Sequence, residues 1–169
     1  MLALLTNLHE ISIQATAKIA ENETFRAYLQ HADTDILDEK VHTLNNQITP
    51  LIDCTACGNC CRQLMINVTT AELAEVATTL QISTAQFEDE YIEKSQQGKM
   101  IMNSIPCHFL GNNKCSIYTN RFTECRAFPH LDKPNFKGRL FGTLMHYGMC
   151  PIVYNVIETL KVQLQFKIV

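Results

Sequence analysis

The feature that most constrains this chain is a cluster of four cysteines within eight residues. The segment reads Cys54-Thr-Ala-Cys57-Gly-Asn-Cys60-Cys61, and four more cysteines follow it: Cys107, Cys115, Cys125 and Cys150. With C-x2-C spacing, two thiolates of one tight turn reach the same ion, and thiolate is a strong ligand for Zn²⁺ and iron. The sequence therefore predicts a metal–thiolate protein. All eight cysteines are candidate ligands, the number that two four-sulfur sites need.

Size and composition place the chain among ordinary globular proteins. It has 169 residues, of which 46% are hydrophobic and 18% are charged, so one domain with a real core and a helical appendage is expected. We predict an N-terminal helical segment over residues 1–50 and a cysteine-cluster metal-binding domain over residues 51–169. The cysteine density is below that of a small disulfide-stapled secreted fold.

The N-terminus lacks the features of a secretory signal. It has no basic start, and Thr6 and Asn7 interrupt its apolar run. No stretch approaches the roughly 20 apolar residues that cross a bilayer. We therefore expect a cytoplasmic protein without a membrane partner, in which clustered cysteines bind metal rather than form disulfides.

Positive charge is concentrated in the cysteine-rich half. Residues 101–150 carry six basic and two acidic side chains, although the whole chain has a net charge of −3. Two divalent ions with eight thiolates would leave an excess of negative charge, which cations near the site would offset. Arg121 and Arg126 flank cysteines and are the favoured candidates for this. The scattered charges form no basic stripe, so we expect no nucleic-acid partner.

Arg62 and Arg126 each follow a cysteine directly and are the predicted cofactor-binding residues. Either guanidinium could donate N–H groups to sulfur or bind an anionic ligand, and an ordinary salt bridge is the alternative interpretation. The histidines of this half could also act as ligands or proton carriers, but with eight thiols available they are weaker candidates: His108, His130 and His146.

Apolar periodicity and capping signals predict a mainly helical α+β fold. Leu2, Leu5, Leu8 and Ile11 recur at helical spacing, and Asp33 precedes a helix that carries Ile36, Leu37, Val41 and Leu44. The N-terminal helices are expected to pack on the cysteine-rich part or on a second copy of the chain. A homo-oligomer through these helices is the natural outcome where one apolar stripe exceeds what the core covers.

The rest of the chain combines short strands with helices. Residues 54–61 are expected to form a loop in which Gly58 supplies backbone freedom. Thr69-x-x-Glu72 and Ser83-x-x-Gln86 resemble capping boxes that open two helices, the second continuing through Ile92 and stopping near Gly98. Gly111-Asn-Asn predicts a hairpin that brings Cys107 and Cys115 together. Pro151 is well placed to start a final helix.

Three chemical interpretations of the cysteines compete. Zinc would be held in two tetrahedral sites, where adjacent Cys60 and Cys61 suit two neighbouring ions or one ligand and one bridge. An iron–sulfur cluster is the second, because the Cys54, Cys57, Cys60 run with a remote Cys150-Pro151 resembles part of a ferredoxin pattern. Buried small hydrophobes or disulfides are the third. The cofactor is therefore expected to be Zn²⁺ or iron, including an iron–sulfur cluster.

Several segments occur in an order that resembles a known family. They are Cys54-Thr-Ala-Cys-Gly-Asn-Cys-Cys-Arg62, Pro106-Cys-His-Phe-Leu110, Cys115-Ser-Ile-Tyr118, Arg121, Cys125-Arg-Ala-Phe-Pro129 and Cys150. This set resembles the YkgJ-type bacterial cysteine-cluster family, with its C-x2-C-x2-C-C signature, over about residues 54–151. The resemblance implies zinc or iron chelation, with all eight cysteines as ligand candidates. The family pattern has Arg-Pro where this chain has Arg121-Phe122, so the turn there is expected to differ.

Three functions follow as hypotheses. A structural or metal-handling role fits a thiol count sufficient for closed four-sulfur shells. A redox role would use an iron–sulfur cluster. The cysteine cluster also resembles one in a flagellin lysine N-methylase group, but the chain has no glycine-rich nucleotide loop and is short for both modules.

Overall fold

The computed structural model describes residues 4–167, which form a mainly helical α+β structure as predicted. The helices are α1 (Leu8–Ala17), α2 (Ile19–Leu29), α3 (Thr34–Ile48), α4 (Cys54–Cys57), α5 (Asn59–Gln63), α6 (Thr70–Leu80), α7 (Thr84–Tyr91), α8 (Thr123–Ala127), α9 (Phe136–Met145) and α10 (Pro151–Gln163). The strands are β1 (Asn67–Val68), β2 (Ile92–Lys94), β3 (Met100–Met102), β4 (Leu110–Gly111) and β5 (Lys114–Cys115). None of the described helices is long and apolar enough to span a membrane.

The described residues divide into two compact units. The first contains the described residues up to Ile52 and those from Pro129 onward, and the second contains Asp53–Phe128. The second unit begins close to the domain start predicted at residue 51, whereas the first also takes in the C-terminal helices. The predicted domain organisation, with residues 51–169 as one metal-binding domain, stays a prediction.

Polar caps define the N-terminal helices of the first unit. The Asn7 side chain accepts a hydrogen bond from the Glu10 N–H at 3.0 Å, and Asp33 accepts one from the Ile36 N–H at 3.0 Å. Such caps satisfy backbone donors that have no partner within the helix. The helix predicted after Asp33 is therefore confirmed as α3, while Leu2 of the N-terminal apolar pattern lies outside the described residues.

One face of α3 forms the centre of the first unit. Its buried side chains recur at helical spacing and pack against α9 and α10: Leu37, Val41, Leu44 and Ile48. Asp38 on the same helix is also buried, and its carboxylate accepts the backbone N–H groups of Asn135 and Phe136 at 2.6 and 2.8 Å. At the start of α9, this carboxylate accepts hydrogen bonds from free backbone N–H groups and interacts favourably with the positive end of the helix dipole. The buried negative charge of Asp38 is therefore compensated.

A buried lysine crosslinks the helices of the same unit. Lys161 is 5% exposed, and its ammonium donates to Glu21 and to Glu158 at 2.8 Å each. Glu158 also accepts from the Tyr147 hydroxyl at 2.7 Å and from Lys18. Partial burial opposes ionisation of Glu158, but these donors together lower its pKa. Each buried charge is thus paired, the condition under which such a network is tolerated.

A small sheet and two helices surround the core of the second unit. Strand β3 lies between β1 and β2, antiparallel to both, and Met102 pairs with Ile92. The core residues come from the sheet, from α6 and α7, and from the segment after β3: Val68, Leu73, Val76, Ala77, Phe87, Ile92, Met102, Phe109, Ile117 and Phe122. This core provides the surface on which the cysteine-bearing segments pack.

The helix start predicted at Thr69 is confirmed, and the end predicted for the next helix is wrong. Thr69 and Glu72 form a reciprocal capping box at the start of α6, and Ser83 caps α7. Helix α7 ends at Tyr91 rather than near Gly98, because Ile92 adopts extended geometry and continues into β2. Pairing with β3 buries Ile92 to 8% exposure, and that tertiary contact overrides the local helical pattern.

The Glu72 carboxylate joins two distant parts of the second unit. It accepts the Thr69 N–H at 2.9 Å, closing the capping box, and the Thr123 N–H at 2.6 Å, at the start of α8. Partial burial would raise the pKa of Glu72, but the hydrogen bonds from Thr123 and Thr69 outweigh it and lower the pKa to about 2. The ionised carboxylate therefore holds α8, the helix that carries Cys125, against α6.

We predict that Glu72→Gln destabilises the second unit in a pH-dependent way. The stabilisation from a depressed carboxyl pKa is complete above the unfolded-state pKa of about 4.3 and is lost as pH falls towards about 2. Urea denaturation at neutral pH should show a loss of about 1 kcal/mol, typical of a lost cap, and this loss should shrink as pH falls through that window. Glu75→Gln on the same helix is the control, since Glu75 accepts one exposed hydrogen bond at 3.2 Å. Equal losses in both variants at every pH would contradict the assignment.

Candidate metal centre

The first cysteine cluster is helical, so the loop predicted for residues 54–61 is wrong. Cys54 and Cys57 lie at the two ends of α4, and Cys60 and Cys61 lie in α5. The reason is a local cap: the Asp53 carboxylate accepts the Thr55 and Ala56 N–H groups at 2.9 and 3.3 Å. The cap starts a single helical turn.

Gly58 separates the two helical turns and adopts a backbone conformation that favours glycine, as predicted. Its φ is +58°, the left-handed conformation in which glycine avoids a Cβ penalty. A Cβ at this position would also lie 2.7 Å from the Asn113 carbonyl oxygen. Gly58 therefore both ends α4 before Cys60 and allows the hairpin turn to approach the cluster.

The predicted hairpin is confirmed as β4 and β5. Leu110 pairs with Cys115, and the two-residue turn Asn112-Asn113 has positive φ at both positions, as a type I′ turn requires. Cys107 precedes β4, and its carbonyl accepts the Leu110 N–H at 3.0 Å. Cys115 therefore lies in the hairpin, whereas Cys107 lies in the turn just before it rather than in the predicted strand.

Backbone and guanidinium hydrogen bonds tie the hairpin to the first cluster. The Cys107 N–H donates to the Cys61 carbonyl at 2.8 Å. Arg62 donates to the Cys57 carbonyl at 3.0 Å and also to the Asn113 side chain. The structure therefore places Arg62 as a bridge between α4 and the hairpin turn, and its predicted role in cofactor binding stays a prediction.

Cys125 is brought to the same region by α8. Glu124 accepts the Asn67 backbone and side-chain N–H groups at 2.8 and 2.9 Å, which fixes α8 beside β1.

Phe122, just before α8, is buried in the core with φ −57° and ψ 153°. This φ lies in the range that proline also adopts. The difference expected at Arg121-Phe122 stays a prediction.

Three of the later cysteines share one environment. Cys107, Cys115 and Cys125 all pack against the hydrophobic core of the second unit. Burial raises the pKa of each thiol, that of Cys125 to about 12, and neighbouring thiolates raise it further. Thiols close enough to oppose one another's ionisation are a favourable site for a cation that removes this repulsion.

Cys60 and Cys61 are neighbours in the chain with opposite electrostatic character. A hydrogen bond from the Cys61 thiol lowers the pKa of Cys60, and the same bond raises the pKa of Cys61. The negative charge of an ionised Cys60 also raises the pKa of Cys107, Cys115 and Cys125. The hydrogen bond between the two thiols therefore favours ionisation of one of them, and thiolate is the form that binds metal.

Arg121 is the guanidinium that the structure brings to the thiols. Its charge opposes the rise in pKa that burial causes at Cys54, Cys115 and Cys125. The side chain is held by a 2.9 Å hydrogen bond to the Tyr118 carbonyl, and it lies 3.9 Å from the centre of the Tyr118 ring. In the sequence, its position near Cys115 and just before the Cys125 segment is the reason to expect this role. Arg126 lies in the last turn of α8, and its predicted role stays a prediction.

The eighth cysteine falls in the first unit. Cys150 is buried and occupies the N-cap position of α10, where Pro151 starts the helix as predicted. His130 and His146 also belong to the first unit, and burial lowers the pKa of His146. His108 lies in the second unit, with its Nε2 2.7 Å from the Asn103 side-chain oxygen. Ligation by Cys150 remains a prediction.

The donor chemistry of the second unit suits a soft metal ion. Its seven cysteines carry no disulfide, and six of them are half-buried, Cys54 being exposed. Within residues 4–167, no group of three or more histidine, cysteine, aspartate or glutamate side chains is already arranged around a common point that could hold an ion. The thiols would therefore have to move closer together to bind a metal.

The chain is thus a small, mainly helical protein with a cluster of reduced cysteines. A family described as "Putative zinc- or iron-chelating domain", with the signature CxxCxxCC, matches residues 53–144. Because this range is more than half of the chain, the protein belongs to that family. The matched range contains seven cysteines and ends before Cys150. Searches of curated proteins and of solved structures found no match.

We predict that Gly58→Ala destabilises the second unit and weakens metal binding. A left-handed alanine costs about 1 kcal/mol, and the close contact with the Asn113 carbonyl adds to this by displacing the hairpin that carries Cys115. Gly98→Ala is the matched control, because Gly98 has φ +76° but no atom lies within 4 Å of the position that an alanine Cβ would take. Urea denaturation and competition with a chromophoric zinc chelator measure the two effects. Equal losses of stability and of zinc affinity in both variants would show that the contact between Gly58 and the hairpin turn contributes to neither.

Proposed function

We propose that this protein binds zinc or iron through its clustered cysteine thiolates, and that the metal organises the second compact unit in a structural or metal-handling role. The observation that carries this proposal is that one compact unit contains three neighbouring cysteine-bearing segments: α4–α5, the hairpin with the residues just before it, and α8. A hydrogen bond joins Cys107 to Cys61, and Cys107, Cys115 and Cys125 pack against one hydrophobic core. Membership of a zinc- or iron-chelating family supports the same class of ligand. The cysteines proposed as ligands are Cys54, Cys57, Cys60, Cys61, Cys107, Cys115, Cys125 and Cys150.

The protein's own residues would stabilise the thiolates that ligation requires. The Arg121 guanidinium offsets negative charge at several thiols, and the Cys61 thiol donates to Cys60. Backbone N–H groups of Phe109 and Ile117 favour the thiolates of Cys107 and Cys115, although burial has the larger and opposite effect on both pKa values. A bound divalent cation would supply the remaining compensation, since metal binding replaces the thiol protons.

A structural role is supported by how short the cysteine-bearing elements are. Helix α4 has four residues and α5 has five, and each strand of the hairpin has two. Elements of this length are marginal without tertiary support. Crosslinking them through one ion would stabilise the whole unit in the way that structural zinc sites stabilise small domains.

Hydrogen exchange tests this proposal with an internal control. The protein is purified anaerobically, its zinc and iron content is measured, and exchange is followed by mass spectrometry before and after metal is removed with a chelator. We expect bound metal, and faster exchange over residues 53–128 after its removal. Helix α3 of the first unit should change little, because it carries no proposed ligand.

The same preparation separates the metals. Colourless protein with bound zinc supports the zinc form, whereas visible absorbance that bleaches on reduction supports an iron–sulfur cluster. Protein that contains no transition metal and takes up none when Zn²⁺ or Fe²⁺ is added would overturn the proposed function.

A further inference from the structure

We propose that a groove in the second unit binds an extended peptide segment of another protein, in which lysine or arginine alternates with aliphatic residues. The groove has a volume of about 860 Å³ and is lined by residues of α6, α7, β2 and β3 and by the turn between these two strands. It is called the sheet–helix groove below. None of the described residues that line it is a cysteine, so the proposal goes beyond metal binding and does not depend on it.

The apolar lining of the groove continues the hydrophobic core of the second unit. Ile92 pairs with Met102 across the sheet, and Lys94, two residues further along β2, pairs with Met100. Cross-strand partners and residues two apart share a face, so these four side chains lie on one face of the sheet. Ile92 and Met102 are buried, whereas Met100 is partly exposed where the core opens into the groove. An aliphatic side chain of a ligand would extend the core at this point.

Small residues keep the groove open. Ala74 of α6, Ala85 of α7 and Gly98 in the turn between β2 and β3 all line it. No atom lies within 4 Å of the position that a Cβ of Gly98 would take. A volume of this size falls within the range of about 300–1,000 Å³ that holds drug-sized ligands, so it suits a few residues of a peptide.

The open space continues beyond the groove in one direction. A second cavity of about 410 Å³ reaches Asn67 and Val68 of β1, and it shares Thr70, Gly98 and Met100 with the groove. The two cavities therefore adjoin. An elongated space of this kind fits an extended segment better than a compact ligand.

Acidic side chains line the α7 side of the groove. Glu88 and Asp89 both contribute carboxylates there, and Glu88 forms an ion pair with Lys94 of β2. This contact shows that a lysine ammonium is accommodated at this wall. Among residues 4–167, the exposed Asp89 carboxylate has no ion-pair partner. It is therefore available to a cationic side chain from another molecule.

Charge and hydrogen-bonding capacity together favour a basic peptide as the occupant. Residues 51–100 carry seven acidic and three basic side chains, so their field attracts basic segments and repels nucleic acids and anionic lipid surfaces. The exposed hydroxyls of Thr70 and Thr84 line the groove and can bond to a peptide main chain. In an extended peptide with alternating residues, aliphatic side chains point to one side and cationic side chains to the other. That pattern matches an apolar floor beside an acidic wall.

A binding experiment on the full-length, reduced and metal-loaded protein tests the proposal. The probe is a capped, fluorescein-labelled hexapeptide of alternating lysine and leucine, and its binding is followed by fluorescence anisotropy. In one control peptide glutamate replaces lysine, and in the other serine replaces leucine. We expect the lysine–leucine peptide to bind, with an affinity that falls as salt screens the exposed charges. Neither control peptide should bind at the same concentration.

A pair of charge variants locates the acidic contact. Asp89→Asn removes a carboxylate that lines the groove, and we expect it to weaken binding of the lysine–leucine peptide about threefold, typical of one exposed ion pair. Glu93→Gln is the matched control. Glu93 pairs with Ile101 and lies on the opposite face of the sheet from Ile92, so its loss of charge should leave binding unchanged.

A pair of steric variants locates the groove itself. Ala85 and Ala71 are both exposed, and each is the second residue of its helix, but Ala85 lines the groove and Ala71 does not. We expect Ala85→Trp to fill the groove and abolish peptide binding, and Ala71→Trp to leave it unchanged. Circular dichroism and metal content identify any variant that does not fold.

The outcomes separate this inference from the proposed function. The absence of lysine–leucine peptide binding to folded wild-type protein would overturn the inference, as would equally tight binding of the glutamate peptide. Equal effects within the charge pair, or within the steric pair, would place the peptide elsewhere and contradict it as well. Protein that binds the peptide but no metal would instead overturn the proposed function alone.

Discussion

Negative sulfur atoms repel one another, and a half-buried site strengthens that repulsion because water screens it poorly. This constraint governs the second unit, where burial and neighbouring thiolates raise the pKa of Cys107, Cys115 and Cys125. A protein that gathers thiols in this way needs cationic compensation to ionise them. Arg121 supplies part of it, and a metal ion is the natural source of the rest.

Local polar contacts position the thiols before any ion is considered. Asp53 starts α4, Gly58 ends it, and the Asn112-Asn113 turn closes the hairpin. Two carboxylates act over longer distances: Glu72 reaches α8, and Glu124 reaches β1. The short elements that carry the cysteines are thus positioned by hydrogen bonds.

The parts of the fold that depend on short-range chemistry are predictable from the sequence. Thr69 with Glu72 identifies a helix start because donor and acceptor lie three residues apart, and the hairpin turn follows from residues that accept positive φ. Ile92 continues a helical periodicity, but pairing with Met102 makes it a strand residue. The helical form of Cys54–Cys57 depends on a carboxylate cap, which the spacing of the cysteines does not encode. The approach of Arg121 to several thiols is a tertiary feature that its position in the sequence only suggests.

X-ray absorption at the metal K-edge of the anaerobically purified protein tests most directly whether sulfur atoms from separate segments bind one ion. We expect a first coordination shell of four sulfur atoms at about 2.3 Å, the distance of zinc–thiolate bonds. A first shell composed of oxygen and nitrogen, in protein whose cysteines are reduced, would contradict the assignment of these thiols as ligands.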